Sequence, residues 1–509
     1  MNAKIRQQLA QRKRQIQRRL DKFDLDGLEQ PMFTARNIHY EISDKAQGIA
    51  HGGIGAMHAL ARRIGLIDAI DRRLVLFKIH LPYHESDHVL NLAYNALCEG
   101  TCKEDIELRR NDAAFLDAIG ARRIPDPTTA GDFCRRFDAA DIRALQGAGH
   151  ETRQKVWAAQ PAAFFAQAVI DADGTLVGTT GACKEGMDIS YKGTWGYHPL
   201  VVSLAYTGEV LSIVNRPGNR PSHEGAAAEM DRARAVCFAG GFRTVLLRGD
   251  TDFSQTEHLD RWNADPRTTF IFGYNACLNL EEIADHLPER AWRKLVRPAR
   301  YAVATKPRQR PVNVKARVVK QRQFDTLRLQ SEEVAEFNYR PTACRQAYRM
   351  VVIRKNITKE KGELRLDDEI RYFFYITNDW VSEPDEIVFA ANDRCNQENL
   401  LAQLHSGCRA LTAPCDSLLS NWAYMVMTAL AWDLKAWWAL QLPEGRGRHQ
   451  AAYRADKLWV LRLEFKRFVQ SFVRLPCQIV QTGRRLVYRL LSWNPHQAIF
   501  FRLVDVLRC

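Results

Sequence analysis

Between residues 57 and 145 apolar and polar positions alternate with a period near 3.6. ALARRIGLIDAIDRRL and HVLNLAYNALCEG read as amphipathic helices. PDPTTAGDFCRRFDAADIRAL opens on a proline break and a threonine cap, then sets Phe133 and Phe137 beside Arg135 and Arg136; it reads as a helix-turn-helix-like unit. Near residue 160 the pattern changes. FFAQAVIDADGTL is an apolar strand followed by a turn, and YHPLVVSLAYTGEVLSIVNRPGN holds two β-rich runs joined by Thr207-Gly208, a hairpin signal. SHEGAAAEMDRARAVCFAGG is a helix with Ser222 near its cap and Gly240-Gly241 at its stop. FRTVLLRGD, SQTEHLDRWNA and RTTFIFGYN continue as strand, helix and strand, which predicts a mixed sheet covered by helices.

Residues 281–385 differ again. RPVNVKARVVKQRQFDTLRLQ, AYRMVVIRKN and RYFFYITNDW are strand-like with strong basic alternation, so a β-rich insertion is expected between two parts of one α/β domain. A helical region follows up to Leu440, then a hinge-like linker, LPEGRGRHQ, and a basic amphipathic helix, LWVLRLEFKRFVQSFVRL. The divisions expected are 1–155 helical, 160–280 and 386–440 as the two parts of the α/β unit, 281–385 as the insertion and 441–509 as a basic helical region.

At 509 residues the chain exceeds one ordinary domain. The formal charge of +14 favours a nucleic-acid or anionic-membrane partner. The most apolar segment, 417–432, is bounded by Asp416 and Asp433 and contains Asn421; it falls short of the roughly 20 residues a spanning helix needs. A buried core helix is expected there and no membrane span, which leaves DNA as the leading partner. Arg135 and Arg136, the basic helix at residues 4–22, and Arg308, Arg310, Lys315, Arg317, Lys320 and Arg322 in the insertion are candidate DNA contacts. Each group also reads as a solvated basic face. The 12 cysteines are scattered without a zinc spacing, and no secretory signal is expected, so reduced thiols in the cytoplasm fit. GTLVGTTG lacks a phosphate-loop lysine, Trp432, Trp437 and Trp438 read as core, and Trp380 reads as core rather than as a base-stacking ring.

Against this basic background three acidic groups stand out: Asp171 and Asp173 in VIDADGT, Asp250 and Asp252 in LLRGDTDF, and Glu398 in NDRCNQENLLAQLH. The aspartates repeat with period two at strand ends, so each pair projects to one face. On a helix Arg394 and Glu398 share a face. Oxygen donors of this kind suit Mg²⁺. Without a cation two such acids repel by roughly 4 kcal/mol at 4 Å and an effective dielectric constant of 20. Taken singly, each also reads as a cap, a turn or a surface residue.

Three blocks sharpen the choice. IDADGT with KEGMDISYKGTWGYHPLVVSLAYTGEVLSIVNRPGN, VLLRGDTDFSQTEHLDRW, and DRCNQENLL resemble, in order and spacing, the DDE transposases of bacterial insertion sequences, specifically the IS1380 family of the IS4-like group. The resemblance spans residues 160–440. It implies an RNase H-like α/β catalytic core interrupted by the β-rich insertion, with helical N-terminal and C-terminal regions. It places the catalytic and metal-binding acids on Asp173, Asp250 and Glu398, with Thr175 after the first and Arg394 as the signature arginine. Two Mg²⁺ (or Mn²⁺) ions, terminal inverted repeats and target DNA as partners, and a homodimer on DNA follow from it. So do cleavage that frees a 3′-hydroxyl, strand transfer, and a cytoplasmic, nucleoid-associated location. Two positions depart from the pattern: Ala391 stands for the family's tyrosine and His405 for its phosphate-contacting lysine. The rivals are a structure-selective metal-dependent nuclease and a catalytically inactive DNA-binding protein derived from a transposase.

Overall fold

The computed structural model describes residues 2–21, 38–40, 47–79, 82–181, 183–297, 317–318, 321–322, 325–361, 364–445, 447–482 and 485–507. The basic run forms helix α1 (Ala3–Asp21), which buries none of its side chains. A short strand, β1 (Gln47–Ile49), leads into helices α2 (Ile54–Arg63), α3 (Leu66–Arg73), α4 (Glu85–Leu97), α5 (Ile106–Arg110), α6 (Ala113–Ile119), α7 (Pro127–Cys134) and α8 (Ala139–Ala158). The cap of α7 is Asp126 rather than a threonine: its carboxylate accepts the Thr129 amide at 2.8 Å and the Thr129 hydroxyl at 2.9 Å. Helices α7 and α8 are joined by the turn at residues 135–138, and α8 buries Ile142, Leu145, Ala148, Val156 and Trp157 in the core, because its apolar stripe needs a partner.

The central sheet begins with β2 (Gln167–Gly174). A small three-stranded sheet follows, made of β3 (Val177–Gly178), β4 (Asp188–Ile189) and β5 (Trp195–Tyr197). Strands β6 (Leu200–Leu204) and β7 (Glu209–Val214) form the expected hairpin, with Gly208 at φ +70° in its turn. Helix α9 (Ala226–Ala239), strand β8 (Thr244–Gly249), helix α10 (Leu259–Asn263) and strand β9 (Thr268–Tyr274) complete the expected alternation. Next come α11 (Leu278–Asp285), β10 (Arg293–Lys294) and three long strands, β11 (Asp325–Tyr339), β12 (Tyr348–Lys361) and β13 (Leu364–Thr377).

The sheet order is β10-β11-β12-β13-β9-β8-β2-β6-β7, nine strands in one sheet. The segment expected as an insertion therefore extends the core sheet. β13 pairs with β9, Tyr375 opposite Gly273, and covers what would be an open apolar edge. Residues 317–318 are helical rather than strand-like, and Arg322 closes that turn by donating its amide to the Val318 carbonyl at 2.9 Å. Lys320, Arg308, Arg310 and Lys315 lie outside the described residues.

Helices α12 (Pro384–Asn392), α13 (Cys395–Ala402) and α14 (Leu418–Leu440) return the chain to the core. Helix α14 is buried along nearly its whole length and packs against α4, α8 and β7. It carries Trp432, Trp437 and Trp438, which are core residues as expected, whereas Trp380 is 54% exposed and is not. No described helix is long and apolar enough to cross a membrane.

The C-terminal region is not a helical unit throughout. Helix α15 (Gln450–Arg462) breaks before α16 (Phe465–Phe468), and a hairpin of β14 (Cys477–Thr482) and β15 (Arg485–Leu490) precedes α17 (Gln497–Leu507). The alternation CQIVQ and RLVYRL has strand period. β14 adds to β1, Gly48 opposite Gln478, tying the two ends of the chain together. The described cysteines are free thiols.

Candidate active site

Strands β2 and β8 are parallel neighbours in a register that pairs Asp171 with Arg248. The residues two further on, Asp173 and Asp250, therefore come level at the same end of the sheet. Asp173 is still within β2, while Asp250 caps the turn after β8, its Oδ1 accepting the Asp252 amide at 3.0 Å. Asp250 is thus the capping residue, and Asp252 supplies the capped amide. Two glycines make room for this turn. A side chain at Gly249 would meet Phe253 at 2.4 Å, and one at Gly273 would meet the Thr251 amide nitrogen at 2.9 Å.

Glu398 lies in the first turn of α13. Its neighbour Gln397 is buried and fastens that helix to the sheet: Nε2 donates to the Val201 carbonyl at 3.1 Å, and Oε1 accepts the Ser203 hydroxyl. Arg394, at the N-cap of α13, points its guanidinium between the aspartates. Nη1 is 3.3 Å from Asp173 Oδ2, and Nη2 is 4.0 Å from Asp250 Oδ2.

Burial pushes the Asp173 carboxyl up to about 6, against the pull of Arg394; the charges of Asp250 and Glu398 push it further. Asp250 is raised in the same way, by burial first, with Asp252 and Glu398 adding to it against Arg394. The three acids therefore share one electrostatic environment. Among the described residues no group of three or more His, Cys, Asp or Glu side chains is arranged to hold a metal ion. A guanidinium stands between the aspartates instead.

His405 sits in a π-helical turn, Gln403–Gly407, a rare local geometry that often marks functional sites. Its Nε2 is 2.9 Å from the Thr175 hydroxyl, two residues beyond Asp173. Burial pushes the imidazole pKa down, so it is neutral near pH 7. Ala391 packs beside Ile387 and Val388, and its carbonyl accepts the Arg394 amide at 3.2 Å.

The other expected DNA contacts are not gathered here. Arg135 is held by Asp132 and by Asp416 at 3.0 Å, and Arg136 lies 5.1 Å over the Phe77 ring. Arg317 is exposed on its helical turn. Sequence reasoning missed Gln397, Ser203 and the Asp171–Arg248 pair. Asp171 and Arg248 carried a signal, a charged residue inside an apolar strand. Gln397 and Ser203 carried none, because their partnership joins residues 194 apart.

Asp173 and Asp250 thus stand at adjoining strand ends, and Glu398 lies on the helix whose N-cap arginine reaches toward both. Residues 41–509 match the family described as Transposase DDE domain group 1, and the chain belongs to that family of DNA transposases. Among solved structures it is similar to a piggyBac transposase in a synaptic complex with hairpin DNA, at 11% identity and a TM-score of 0.36, covering 85% of this chain and 84% of that one. No curated protein matches the chain.

Proposed function

We propose that this transposase cleaves the ends of an insertion sequence and joins the freed 3′-hydroxyl to target DNA, with Asp173, Asp250 and Glu398 as the catalytic acids. The observation that carries the reading is the level placement of Asp173 and Asp250 on β2 and β8 around a single cationic group. The fold supports it: β2-β6-β7 form an antiparallel meander, and β8 and β9 add in parallel on the other side of β2. That is the strand pattern expected of an RNase H-like core. The three blocks quoted above favour the IS1380 family within the broader group.

The donor set fits a divalent cation. It consists of oxygen ligands only, two of them made harder to ionise by burial and mutual repulsion, which a bound cation reverses. A pair of Mg²⁺ or Mn²⁺ ions bound there would supply charge stabilisation at the attacking and leaving oxygens of an in-line displacement. The chain's own groups do the rest. Asp173 and Asp250 hold their positions through the sheet, and Gln397 anchors the helix that carries Glu398. Arg394, held by the aspartates here, would be free to meet a DNA phosphate were cations bound in its place. Catalysis is then mainly positioning and charge stabilisation.

Terminal inverted repeats and a target duplex are the expected substrates. A homodimer pairs the two ends, and the basic helix α1 contributes backbone contacts in a cytoplasmic, nucleoid-associated setting. A second reading, a DNA-binding protein that has lost catalysis, draws on Ala391 and on a neutral His405 bonded to Thr175. The discriminating experiment incubates the protein with a duplex carrying the element's end and a supercoiled plasmid, with Mg²⁺. Joined products support the proposal. Cleavage without joining supports a nuclease, and binding without cleavage supports the inactive form.

A further inference from the structure

The segment between the first acid and the central hairpin folds into the small sheet β3-β5-β4 and is locked in place. The Tyr197 hydroxyl donates to the Glu185 carbonyl at 2.8 Å, the Gly218 amide to the Gly196 carbonyl at 3.1 Å, and the Asn219 amide side chain to Asp188 at 2.7 Å. Gly196 has φ +156°, and a side chain there would meet the Val177 carbonyl at 2.0 Å. The tip between β4 and β5 is equally defined. The Ser190 amide donates to the Thr194 carbonyl at 2.9 Å, the Thr194 amide to the Ser190 hydroxyl at 3.0 Å, and Gly193 takes φ +74°.

This rigid tip shows aromatic rings to solvent. Tyr191 is 81% exposed and Trp195 53%, with Ile189 directly across the strand pair from Trp195. Lys192 lies 5.3 Å over the Tyr191 ring. Beside Trp195 opens a groove of about 670 Å³ lined by Thr179, Thr180 and Thr194, and its one charged lining residue is Lys184. The small sheet follows directly on the strand of the first acid, β3 beginning at Val177 just after β2 ends at Gly174. Gly174, next to Asp173, packs so closely on His198 that a side chain there would meet its Nε2 at 2.8 Å. His198 in turn feels the charges of both Lys192 and Asp252.

We infer that Tyr191 and Trp195 form a stacking platform for unpaired DNA nucleotides that flank the phosphate held at the acids, with Lys192 and Lys184 on the sugar-phosphate backbone; this rests on the transposase reading above. Three features argue for a frayed strand rather than a protein partner. The rings are interleaved with glycine, threonine and lysine rather than joined in one apolar patch. The charged groups of the tip and groove are cationic. The small sheet is built on the segment that leaves β2 just after Asp173. Stacking on fixed aromatic rings tolerates any base, as single-strand binding near a cleavage point requires.

The test uses the full chain in EDTA, so that nothing is cut, and compares a blunt duplex with the same duplex bearing one splayed oligothymidine end by fluorescence anisotropy. Wild type is expected to prefer the splayed end. Tyr191→Ala with Trp195→Ala weakens binding to the splayed probe by about tenfold or more and leaves blunt binding unchanged. Tyr191→Phe with Trp195→Phe restores the preference, which separates stacking from misfolding. Equal preference in wild type and the alanine variant overturns the platform while leaving the transposase reading intact. Failure of wild type to bind either probe overturns the reading on which it rests. A loss of self-association in the alanine variant, seen by sedimentation with DNA binding unaltered, assigns the surface to a second copy of the chain and also overturns the platform.

Discussion

Asp171 and Arg248 form a two-point ion pair beneath the acids. Nε lies 2.7 Å from Oδ1 and Nη2 2.8 Å from Oδ2, both side chains are almost fully buried, and the third nitrogen donates to the Ala390 carbonyl at 2.6 Å. One arginine thus ties β2 and β8 to the end of α12, just before Arg394. Removing it leaves a carboxylate and a carbonyl buried without their partner. Arg248→Met is expected to cost about 3–5 kcal/mol of stability, read by urea unfolding. Asp171→Leu combined with Arg248→Met, which removes both charges, recovers part of that loss.

Gln397 anchors the helix that carries Glu398 to the sheet. Gln397→Leu keeps the bulk but loses the bonds to Val201 and Ser203. Stability falls by about 1–3 kcal/mol, and DNA cleavage by about a hundredfold, since small misplacements at such sites are costly. Cleavage rates measured at temperatures where circular dichroism reports a fully folded variant separate the two effects.

His405 stands where the resemblance to insertion-sequence transposases implies a lysine, and burial lowers the pKa of its imidazole. His405→Lys adds a fixed positive charge beside Thr175. One more phosphate contact steepens the slope of log affinity against log salt by about 0.9. A salt titration of binding to an element-end duplex checks this, with His405→Gln as the uncharged control, whose slope stays at the wild-type value.

Lys435 is buried in α14. Its Nζ donates to the Leu461 carbonyl at 2.8 Å and lies 3.9 Å over the Trp432 ring, and burial pushes its pKa down to about 7. Above pH 7 the folded chain has released this proton while the unfolded chain still holds it. Stability contributed by this site therefore rises from pH 7 toward the ordinary lysine range. Below pH 7 both states are protonated and the contribution is flat. Lys435→Met removes the slope, so the stability difference between wild type and variant changes between pH 7 and pH 9 and is constant between pH 5 and pH 6.

Much of the core was legible because its strands are short apolar runs bounded by turns, and because the acids fall at their ends. What escaped depended on distant partners. The strands after residue 325 look like a separate module in one dimension and join the core sheet only because β9 offers a free edge to β13. The C-terminal hairpin was hidden by the helical period of the run before it, which breaks between Arg462 and Phe465. Trp380 has the composition of a core residue and an exposed position in the loop between β13 and α12. The blocks of sequence single out Asp173, Asp250, Glu398 and Arg394 as candidates, but the guanidinium between the two aspartates is a product of folding.

The central claim is that Asp173, Asp250 and Glu398 form one divalent-cation site. The most direct measurement is Mn²⁺ binding by electron paramagnetic resonance on the full chain and on Asp173→Asn, Asp250→Asn and Glu398→Gln, each with an element-end duplex present. Saturable binding in wild type, weakened strongly by every one of the three substitutions, is the result expected. Binding that is absent from wild type, or that survives any one of them unchanged, contradicts the account.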